Sequence, residues 1–408
     1  MEDTALDLNL MRELSVSTDS KIILLVLDGL GGLPMDPFGR TELEAANTPN
    51  FDALAARSDL GLSSPVAAGV SPGSGPGHLA LFGYNPLEYE VGRGILSALG
   101  IGFELGEDDL AARINLATKD AAGKISDRRA GRISSPDAAK LVDLLNENVE
   151  LDGTEVFITH EKEHRAVVVF RAPGLSEALS DSDPQRVGLA PLPVEPTDGA
   201  RSEAEESARL ANAFIEEADR ILADHHPANT VLLRGFGMHP ALPKFDETYK
   251  LRAAAIAGYP MYKGLARLAG MQVLREGDGI VGEFETLKEN WNSYDFFFVH
   301  VKATDAAGED GDFERKSTVI EEVDALLPDL LNLGPDALAV TGDHATPAKM
   351  KSHSWHGVPF LVSSEYTLPT AESFGERACA GGSLGVFPGE EIMGLLMGHA
   401  LKLNRYGA

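Results

Sequence analysis

The sequence contains a single cysteine, Cys379, in 408 residues. One cysteine excludes an intramolecular disulfide and a cysteine-based zinc site, and it is typical of a reducing compartment. No apolar run approaches the roughly eighteen residues that a membrane-spanning helix requires. Residues 1–20 are polar and acidic, without the basic and apolar regions of a signal peptide, so they are interpreted as a loosely docked extension. We therefore predict a cytoplasmic protein.

Basic residues are also few: 35 Lys and Arg stand against 63 Asp and Glu, and the formal net charge is −28. Nucleic acids and anionic membranes both require a basic face, so neither is predicted as a partner. In so acidic a chain, a local cluster of arginines indicates a binding site for an anion. The apolar content of 43% and charged content of 24% are typical of a globular protein.

Carboxylates and histidines follow three apolar runs that are typical of buried strands. The run at 21–27 ends at Asp28, and the run at 337–340 enters Asp343 and His344, with His353 nine residues further on. Because open α/β sheets place their chemistry at the carboxyl ends of the strands, these side chains are predicted to form a divalent-metal site. Taken singly, a turn aspartate or a surface loop with solvated histidines is an equally good interpretation.

The third run, residues 296–301, leads into Asp305 and Glu309. These two acids are four residues apart, so a helical turn would place both on one face and supply two further oxygen ligands. The acidic stretch 309–312 lacks the alternating pattern of a calcium loop.

Residues 69–86 are rich in glycine and proline and contain Ser74. A helix is predicted over 78–83, which would leave Ser74 on the turn before a helix N-terminus, where free amide groups favour an anion. Such a serine is a credible nucleophile toward phosphate, whereas without the metal ligands a flexible loop serine would be the preferred interpretation. The stretch matches neither GxxxxGK[ST] nor GxGxxG, so no nucleotide site is predicted.

Short alternating runs from residue 102 onward indicate an inserted α+β module. Arginines gather in this part of the chain: Arg128, Arg129 and Arg132 lie in one turn, Arg165 follows His164, and Arg234 ends a predicted strand at 231–233. Guanidinium groups bind carboxylates and phosphates through paired hydrogen bonds, so the cluster suits a small, doubly anionic substrate. For any single arginine, a surface ion pair is the alternative. Lys263, on a helix predicted over 259–270, either faces the site or lies at the surface.

Long motifs in this order resemble the cofactor-independent phosphoglycerate mutases of the archaeal type, members of the alkaline phosphatase superfamily. The resemblance covers nearly everything from residue 21 to the C-terminus. It is carried by VLDGLGG (26–32), ANTPN (46–50), PGSGPGHLALFGYNP (72–86), DRRAGRI (127–133), EHR (163–165), SDSDP (180–184), LLRGFG (232–237), KATDAAGEDGD (302–312), TGDHATPA (341–348) and KSHSW (351–355).

The resemblance implies an α/β fold: an alkaline-phosphatase-like three-layer core with a mostly parallel sheet, interrupted by an inserted α+β domain, with substrate held between the two. The core is expected at 21–101 and 245–408, and the insert at 102–244. By motif position, the site residues are the nucleophile Ser74, the ligands of one metal (Asp28, Ser74, Asp343, His344), those of the other (Asp305, Glu309, His353), the substrate contacts (Arg128, Arg132, Arg165, Arg234, Lys263) and Asp127 as an acid/base or orienting residue.

Glu309 stands where many members of this family carry a histidine. A carboxylate makes the site more negative and favours two manganese or magnesium ions, with zinc as an alternative.

The implied reaction is the interconversion of 2-phosphoglycerate and 3-phosphoglycerate through a phosphoserine, without bisphosphoglycerate. A metal-dependent phosphomonoesterase or phosphotransferase acting on another small phosphorylated alcohol is the alternative, and a metal-binding or regulatory protein with a dead site is a third; a homo-oligomer is left open.

Overall fold

The computed structural model describes residues 7–407 apart from positions 198, 200 and 276. The chain divides into two compact units, residues 1–90 with 242–408 and residues 91–241. The second unit overlaps the insert predicted at 102–244, but it begins at Val91. The reason is the helix Arg93–Gly100, which packs on strands of the second unit.

The strands are β1 (Ile22–Leu27), β2 (Asp59–Ser64), β3 (Asp109–Lys119), β4 (Ile125–Asp127), β5 (Glu155–Lys162), β6 (Arg165–Arg171), β7 (Thr230–Met238), β8 (Ala253–Ala257), β9 (Gln272–Val273), β10 (Phe296–Val301), β11 (Ala337–Thr341), β12 (Val358–Ser363) and β13 (Gly385–Pro388). The helices are α1 (Leu8–Leu14), α2 (Glu42–Ala45), α3 (Pro49–Ala55), α4 (Ser74–Leu81), α5 (Arg93–Gly100), α6 (Ser135–Asn148), α7 (Arg201–Leu222), α8 (Phe245–Thr248), α9 (Pro260–Leu268), α10 (Gly279–Asn290), α11 (Ala303–Asp310), α12 (Phe313–Leu331), α13 (Glu376–Ala380) and α14 (Ile392–His399). Short 3₁₀ turns lie at Ala130–Arg132 and Gly389–Glu391.

The first unit is built on an eight-stranded sheet in the order β13-β2-β12-β11-β1-β10-β8-β9. Strand β12 is antiparallel to both of its neighbours, and every other pairing is parallel. The predicted mostly parallel sheet is thus confirmed. The three strands that precede the candidate ligands, β11, β1 and β10, are adjacent and parallel, so their carboxyl ends meet at one edge of the sheet.

The central strands of this sheet are buried on both sides, because helices cover both of its faces. Along β10, Phe297 and Val299 pack in the core that includes residues of α3, α10 and α12. The alternate side chains of β10 face the other layer, where Phe298 contacts His78 of α4 and Phe296 contacts Phe245 of α8. Continuous apolar runs such as FFFV are what a strand buried on both faces requires.

The second unit is an antiparallel five-stranded sheet in which β3 pairs with β4, β6 and β7, and β6 also pairs with β5. One face of β3 contributes Leu110, Ala112, Ile114 and Leu116 to a core shared with α6 and α7. Since side chains alternate along a strand, Arg113 and Asn115 lie on the opposite face.

Residues 7–20 are attached to the first unit more firmly than the sequence suggested. Helix α1 buries Leu8 and Met11, and Asp7 caps it by accepting from the Asn9 amide. After the helix, the Val16 amide donates to the Lys402 carbonyl. The loosely docked extension predicted for 1–20 is wrong for this stretch, and residues 1–6 lie outside the described residues.

Cys379 is fully buried. Within the described ranges, no helix is both long enough and apolar enough to span a membrane.

Candidate active site

The candidate ligands of the first unit lie together where three parallel strands end. Asp28 directly follows β1, Asp343 and His344 follow β11, and Asp305 lies in α11, just after β10. All four are buried, Asp28, Asp343 and His344 completely. The convergence that the sequence predicted for these residues is what the sheet order produces.

Asp28, Asp343 and His344 form the first cluster, with one potential ligand atom from each residue lying within 4.8 Å of the others. His344 Nε2 is 3.0 Å from Asp343 Oδ2 and 3.5 Å from Asp28 Oδ1. Asp28 Oδ1 is buried and has no hydrogen-bond partner among the described residues, while the buried Asp343 Oδ2 faces the imidazoles of His344 and His78. Buried carboxylate oxygens that lack donors are the arrangement that a bound cation would satisfy.

Asp305 and His353 form a second cluster with His344, which belongs to both clusters, and the ring of His344 stacks on that of His353 with centroids 3.6 Å apart. His353 Nε2 is 3.7 Å from Asp305 Oδ1 and 3.8 Å from Glu309 Oε1. Glu309 is the most exposed of these residues, with 57% of its side chain accessible. The structure therefore brings Glu309 to the edge of the cluster, not into its buried part.

Hydrogen bonds orient both histidines toward the carboxylates. His344 Nδ1 lies 2.9 Å from Thr346 Oγ1, which itself donates to Asp305 Oδ1, so Nδ1–H is the donor and Nε2 faces the carboxylates of Asp28 and Asp343. His353 Nδ1 donates to the Pro72 carbonyl, which leaves its Nε2 facing Asp305. Fixing one ring nitrogen so that the other can bind a cation is the usual arrangement of histidine ligands. The donor set, carboxylate oxygens with imidazole nitrogens, fits divalent metal ions.

The ionisation of these groups also suits cation binding. Burial raises the pKa of Asp343, but the neighbouring His344 and His78 hold it well below its usual value. Burial and the Asp343 carboxylate raise the pKa of Asp28, yet His300 and Lys302 outweigh them and the net shift is downward. Burial lowers the pKa of His344, while the Asp343 carboxylate and its hydrogen bond raise it to about 9. A cation at His344 Nε2 would therefore replace a proton.

Ser74 lies against the first cluster, with its Oγ 3.3 Å from His344 Nε2. The structure begins α4 at Ser74 itself, with Gly73 as N-cap, so the prediction of a helix starting at residue 78 is wrong. Helix α4 can approach β11 closely because residue 77 is glycine: a Cβ there would lie 2.4 Å from the Asp343 carbonyl oxygen. His78 Nδ1 contacts both the Ser74 carbonyl at 2.8 Å and Asp343 Oδ2 at 3.2 Å.

Sequence reasoning missed several polar residues that surround these clusters. His300 Nε2 lies 3.1 Å from Asp28 Oδ2, and the Tyr262 ring stacks on His78 with centroids 4.3 Å apart. Lys302 Nζ donates to Asp28 Oδ2 and Asp305 Oδ2. Lys302 directly follows β10, so the strand-end rule that identified Asp28 would have identified this lysine as well.

Arginines line a cavity of about 190 Å³ inside the second unit. Strand pairing explains it: β3 places Arg113 opposite Arg234 of β7 and Asn115 opposite Arg165 of β6, all on the face away from the core. The complete lining is Arg93, Arg113, Asn115, Arg128, Arg129, His164, Arg165 and Arg234.

The cavity has more positive charge than its acidic neighbours offset. Arg128 makes a two-point contact with the buried Asp183, at 2.8 and 2.6 Å, and Arg113 Nη2 lies 3.4 Å from Glu161. Arg93, Arg129 and Arg165 form no ion pair with any residue that the structure describes. Burial and the nearby Arg165 lower the pKa of His164 to about 4, so its imidazole is neutral at pH 7. The cavity is suited to a small anion with more than one negative charge.

Three predicted site residues lie outside these groups. Both carboxylate oxygens of Asp127 accept backbone hydrogen bonds, from the Arg129 and Gly131 amides, and so fix the turn that carries Arg128. Arg132 is exposed and does not line the cavity. Lys263 is half-buried on α9, next to Tyr262. Roles for these three in substrate binding or proton transfer stay predictions.

Comparison with known proteins identifies the family of this chain. The family model described as 2,3-bisphosphoglycerate-independent phosphoglycerate mutase matches residues 55–229. A Thermus thermophilus protein, named as a probable 2,3-bisphosphoglycerate-independent phosphoglycerate mutase, is 52% identical over 98% of this chain and 98% of its own length.

Two solved structures are similar over almost the whole chain. The cofactor-independent phosphoglycerate mutase of Thermoplasma acidophilum is 34% identical, with a TM-score of 0.74 over 93% of this chain and 100% of that one. A protein of Pyrococcus horikoshii is 29% identical, with a TM-score of 0.78 over 95% of this chain and 99% of that one. The chain belongs to the family of 2,3-bisphosphoglycerate-independent phosphoglycerate mutases.

Proposed function

We propose that this protein interconverts 2-phosphoglycerate and 3-phosphoglycerate by passing the phosphoryl group through Ser74, without bisphosphoglycerate. The observation that carries the proposal is the position of the Ser74 hydroxyl. It lies on the first residue of α4, 3.3 Å from His344 Nε2 and against a buried cluster of two carboxylates and an imidazole. A hydroxyl beside ligands for a divalent cation is the arrangement of an activated nucleophile.

Two divalent ions, manganese or magnesium, would be held by the two clusters. Asp28, Asp343, His344 and Ser74 would hold one, and Asp305, His353 and Glu309 the other, because each histidine directs Nε2 toward its own carboxylates. When bound, such ions lower the pKa of a serine hydroxyl and offset the negative charge on phosphoryl oxygens. Oxygen-rich clusters favour these hard ions over zinc.

The reaction exchanges one phosphorus–oxygen bond for another, twice. Ser74 Oγ attacks phosphorus and loses its proton, while the bond from phosphorus to the glycerate oxygen breaks and that oxygen gains a proton. The other hydroxyl of glycerate then attacks the phosphoserine, and Ser74 Oγ recovers a proton. Donor and acceptor are the same glycerate molecule, so no second phosphorylated compound is consumed.

The arginines of the second unit would bind the anionic groups of phosphoglycerate. Arg165 and Arg129 are available because they form no ion pair with a described residue, while the contact with Asp183 fixes Arg128 in place. Asp127 would act as an orienting residue, since its two backbone hydrogen bonds hold the Arg128–Arg129 turn. His164 is neutral at pH 7, so the positive charge of the cavity comes from its guanidinium groups.

A single assay separates the mutase from a phosphomonoesterase. The protein is supplied with 3-phosphoglycerate and Mn²⁺ or Mg²⁺, and 2-phosphoglycerate and released phosphate are followed together. We expect 2-phosphoglycerate to approach its equilibrium share without added bisphosphoglycerate. Release of phosphate without formation of 2-phosphoglycerate would contradict the proposal and favour hydrolysis.

Substitution of Arg165 by methionine tests the role of the arginine cavity. We expect KM for 3-phosphoglycerate to rise about 10- to 100-fold, since a charge-assisted hydrogen bond is worth about 1.5–3 kcal/mol. The melting temperature should change little, because Arg165 has no ion pair to lose. Arg209→Met is the matched control: this exposed arginine on α7 pairs with Glu206 in the same unit and lies outside the cavity. Equal KM values for the two variants would remove Arg165 from substrate binding.

A further inference from the structure

Lys302 connects the two carboxylate clusters. Its ammonium nitrogen lies 3.1 Å from Asp28 Oδ2, in the first cluster, and 2.6 Å from Asp305 Oδ2, in the second. The Tyr262 hydroxyl accepts a third hydrogen bond from it at 3.0 Å. The side chain is fixed from both ends, because its backbone leaves β10 at the N-cap of α11 and its ammonium group is held by three oxygens.

Lys302 offsets part of the negative charge that is buried at the two clusters. Asp28, Asp305 and Asp343 are almost completely buried and within contact distance of shared neighbours. Buried like charges repel one another strongly unless a cation lies among them. The Lys302 ammonium group places a positive charge among these carboxylates, and it donates hydrogen bonds to two of those that divalent ions would use.

We propose that Lys302 is a positioning residue that shares Asp28 and Asp305 with the divalent ions and thereby sets how tightly the site holds them. This inference rests on the metal scheme of the proposed function. The ammonium group keeps the carboxylates of Asp28 and Asp305 close together, and in the orientation that ion binding requires, before an ion binds. The ammonium group also weakens ion binding, because a divalent ion must either displace it from the carboxylates or bind beside its positive charge.

Removal of the Lys302 charge should have opposite effects on the stability of the metal-free protein and on its affinity for metal. Removal of the ammonium group should destabilise the metal-free protein, because the buried carboxylates lose a partner. The same removal should tighten metal binding, because a competing positive charge within a few ångströms of the ions is gone. Loss of a residue with a merely structural role would not combine lower stability with tighter metal binding, since a damaged site binds metal more weakly.

The experiment compares wild type with Lys302→Met after exhaustive removal of metal. We expect the metal-free melting temperature to fall by about 2–4 °C. In a calorimetric titration with Mn²⁺, we expect the dissociation constant to fall by about tenfold. Lys302→Arg, which keeps the charge, should restore both quantities toward their wild-type values.

Lys349→Met is the matched control, because this lysine donates to the Pro34 carbonyl and forms no hydrogen bond or ion pair with a candidate ligand among the described residues. It should leave the Mn²⁺ dissociation constant unchanged. If Lys302→Met fails to fold, Lys302→Gln, which keeps a donor but removes the charge, is judged by the same Mn²⁺ titration.

The outcomes separate this inference from the proposed function. Wild type that binds Mn²⁺, together with an uncharged Lys302 variant that binds it equally well or more weakly, overturns the role of Lys302 alone. Wild type that binds no Mn²⁺ overturns the metal scheme, and this inference with it. Tighter binding by the uncharged variant, with restoration by arginine, supports the inference.

Discussion

Substitution of Ser74 by alanine is expected to lower the mutase rate at least about 10³-fold, because the proposed acceptor of the phosphoryl group is lost. The other proposed metal ligands and the arginine cavity remain, so the variant should still bind metal and phosphoglycerate. Wild type incubated with 3-phosphoglycerate and then denatured in acid should carry one added phosphoryl group by mass spectrometry. Ser74→Ala should carry none.

The control for this substitution is Ser135→Ala, because Ser135 is also the first residue of a helix, α6, but lies in the second unit. Its hydroxyl accepts from the Glu163 amide, a contact whose loss costs little. Ser135→Ala should retain the mutase rate. A Ser74→Ala variant whose mutase rate stays within about tenfold of wild type would remove Ser74 from the nucleophile's role.

Exhaustive chelation is expected to abolish the mutase activity and to lower the melting temperature. The activity falls because the ions offset the charge on the phosphoryl oxygens. The stability falls because Asp28 Oδ1 is buried without a hydrogen-bond partner among the described residues, and a cation would offset the buried charge of Asp28 and Asp343. Addition of Mn²⁺ or Mg²⁺ should restore both quantities.

Chelator mixed with excess Mg²⁺ serves as the control, since it contains the same chelator but leaves metal in solution. Activity and melting temperature should then equal those of untreated protein. Activity that survives complete removal of metal, verified by elemental analysis, would contradict the two-ion scheme. Retained stability with lost activity would show instead that the protein side chains alone balance the buried charge.

The central strands could be predicted from sequence with small errors. The predicted run 296–301 has the same bounds as β10, and the run 21–27 differs from β1 by one residue at its start. Continuous apolar segments specify strands buried on both faces, and the residue after such a strand must emerge at the sheet edge. This rule predicts Asp28, Asp343 and His344 as site residues from the sequence alone.

Helix and domain boundaries near the site were less predictable. Pro76 and three glycines obscure the start of α4, and the helix begins at Ser74 because its close packing on the Asp343 backbone compensates for their poor helix propensity. Helix α5 belongs to the second unit because Gly94 lets it pack closely on the Ala111 backbone, a contact between residues far apart in the chain.

The sequence by itself determined the available chemistry: which strands end in candidate ligands, which serine is available, and that arginines gather in an acidic chain. Only the tertiary structure decided which groups meet. Register between β3, β6 and β7 brought Arg113 to Arg234 and Asn115 to Arg165, and the order β11-β1-β10 brought Lys302 between two carboxylates. Local sequence specifies the direction of a side chain relative to its own strand or helix, whereas its neighbours depend on strand order and register, which are set by packing across the whole sheet.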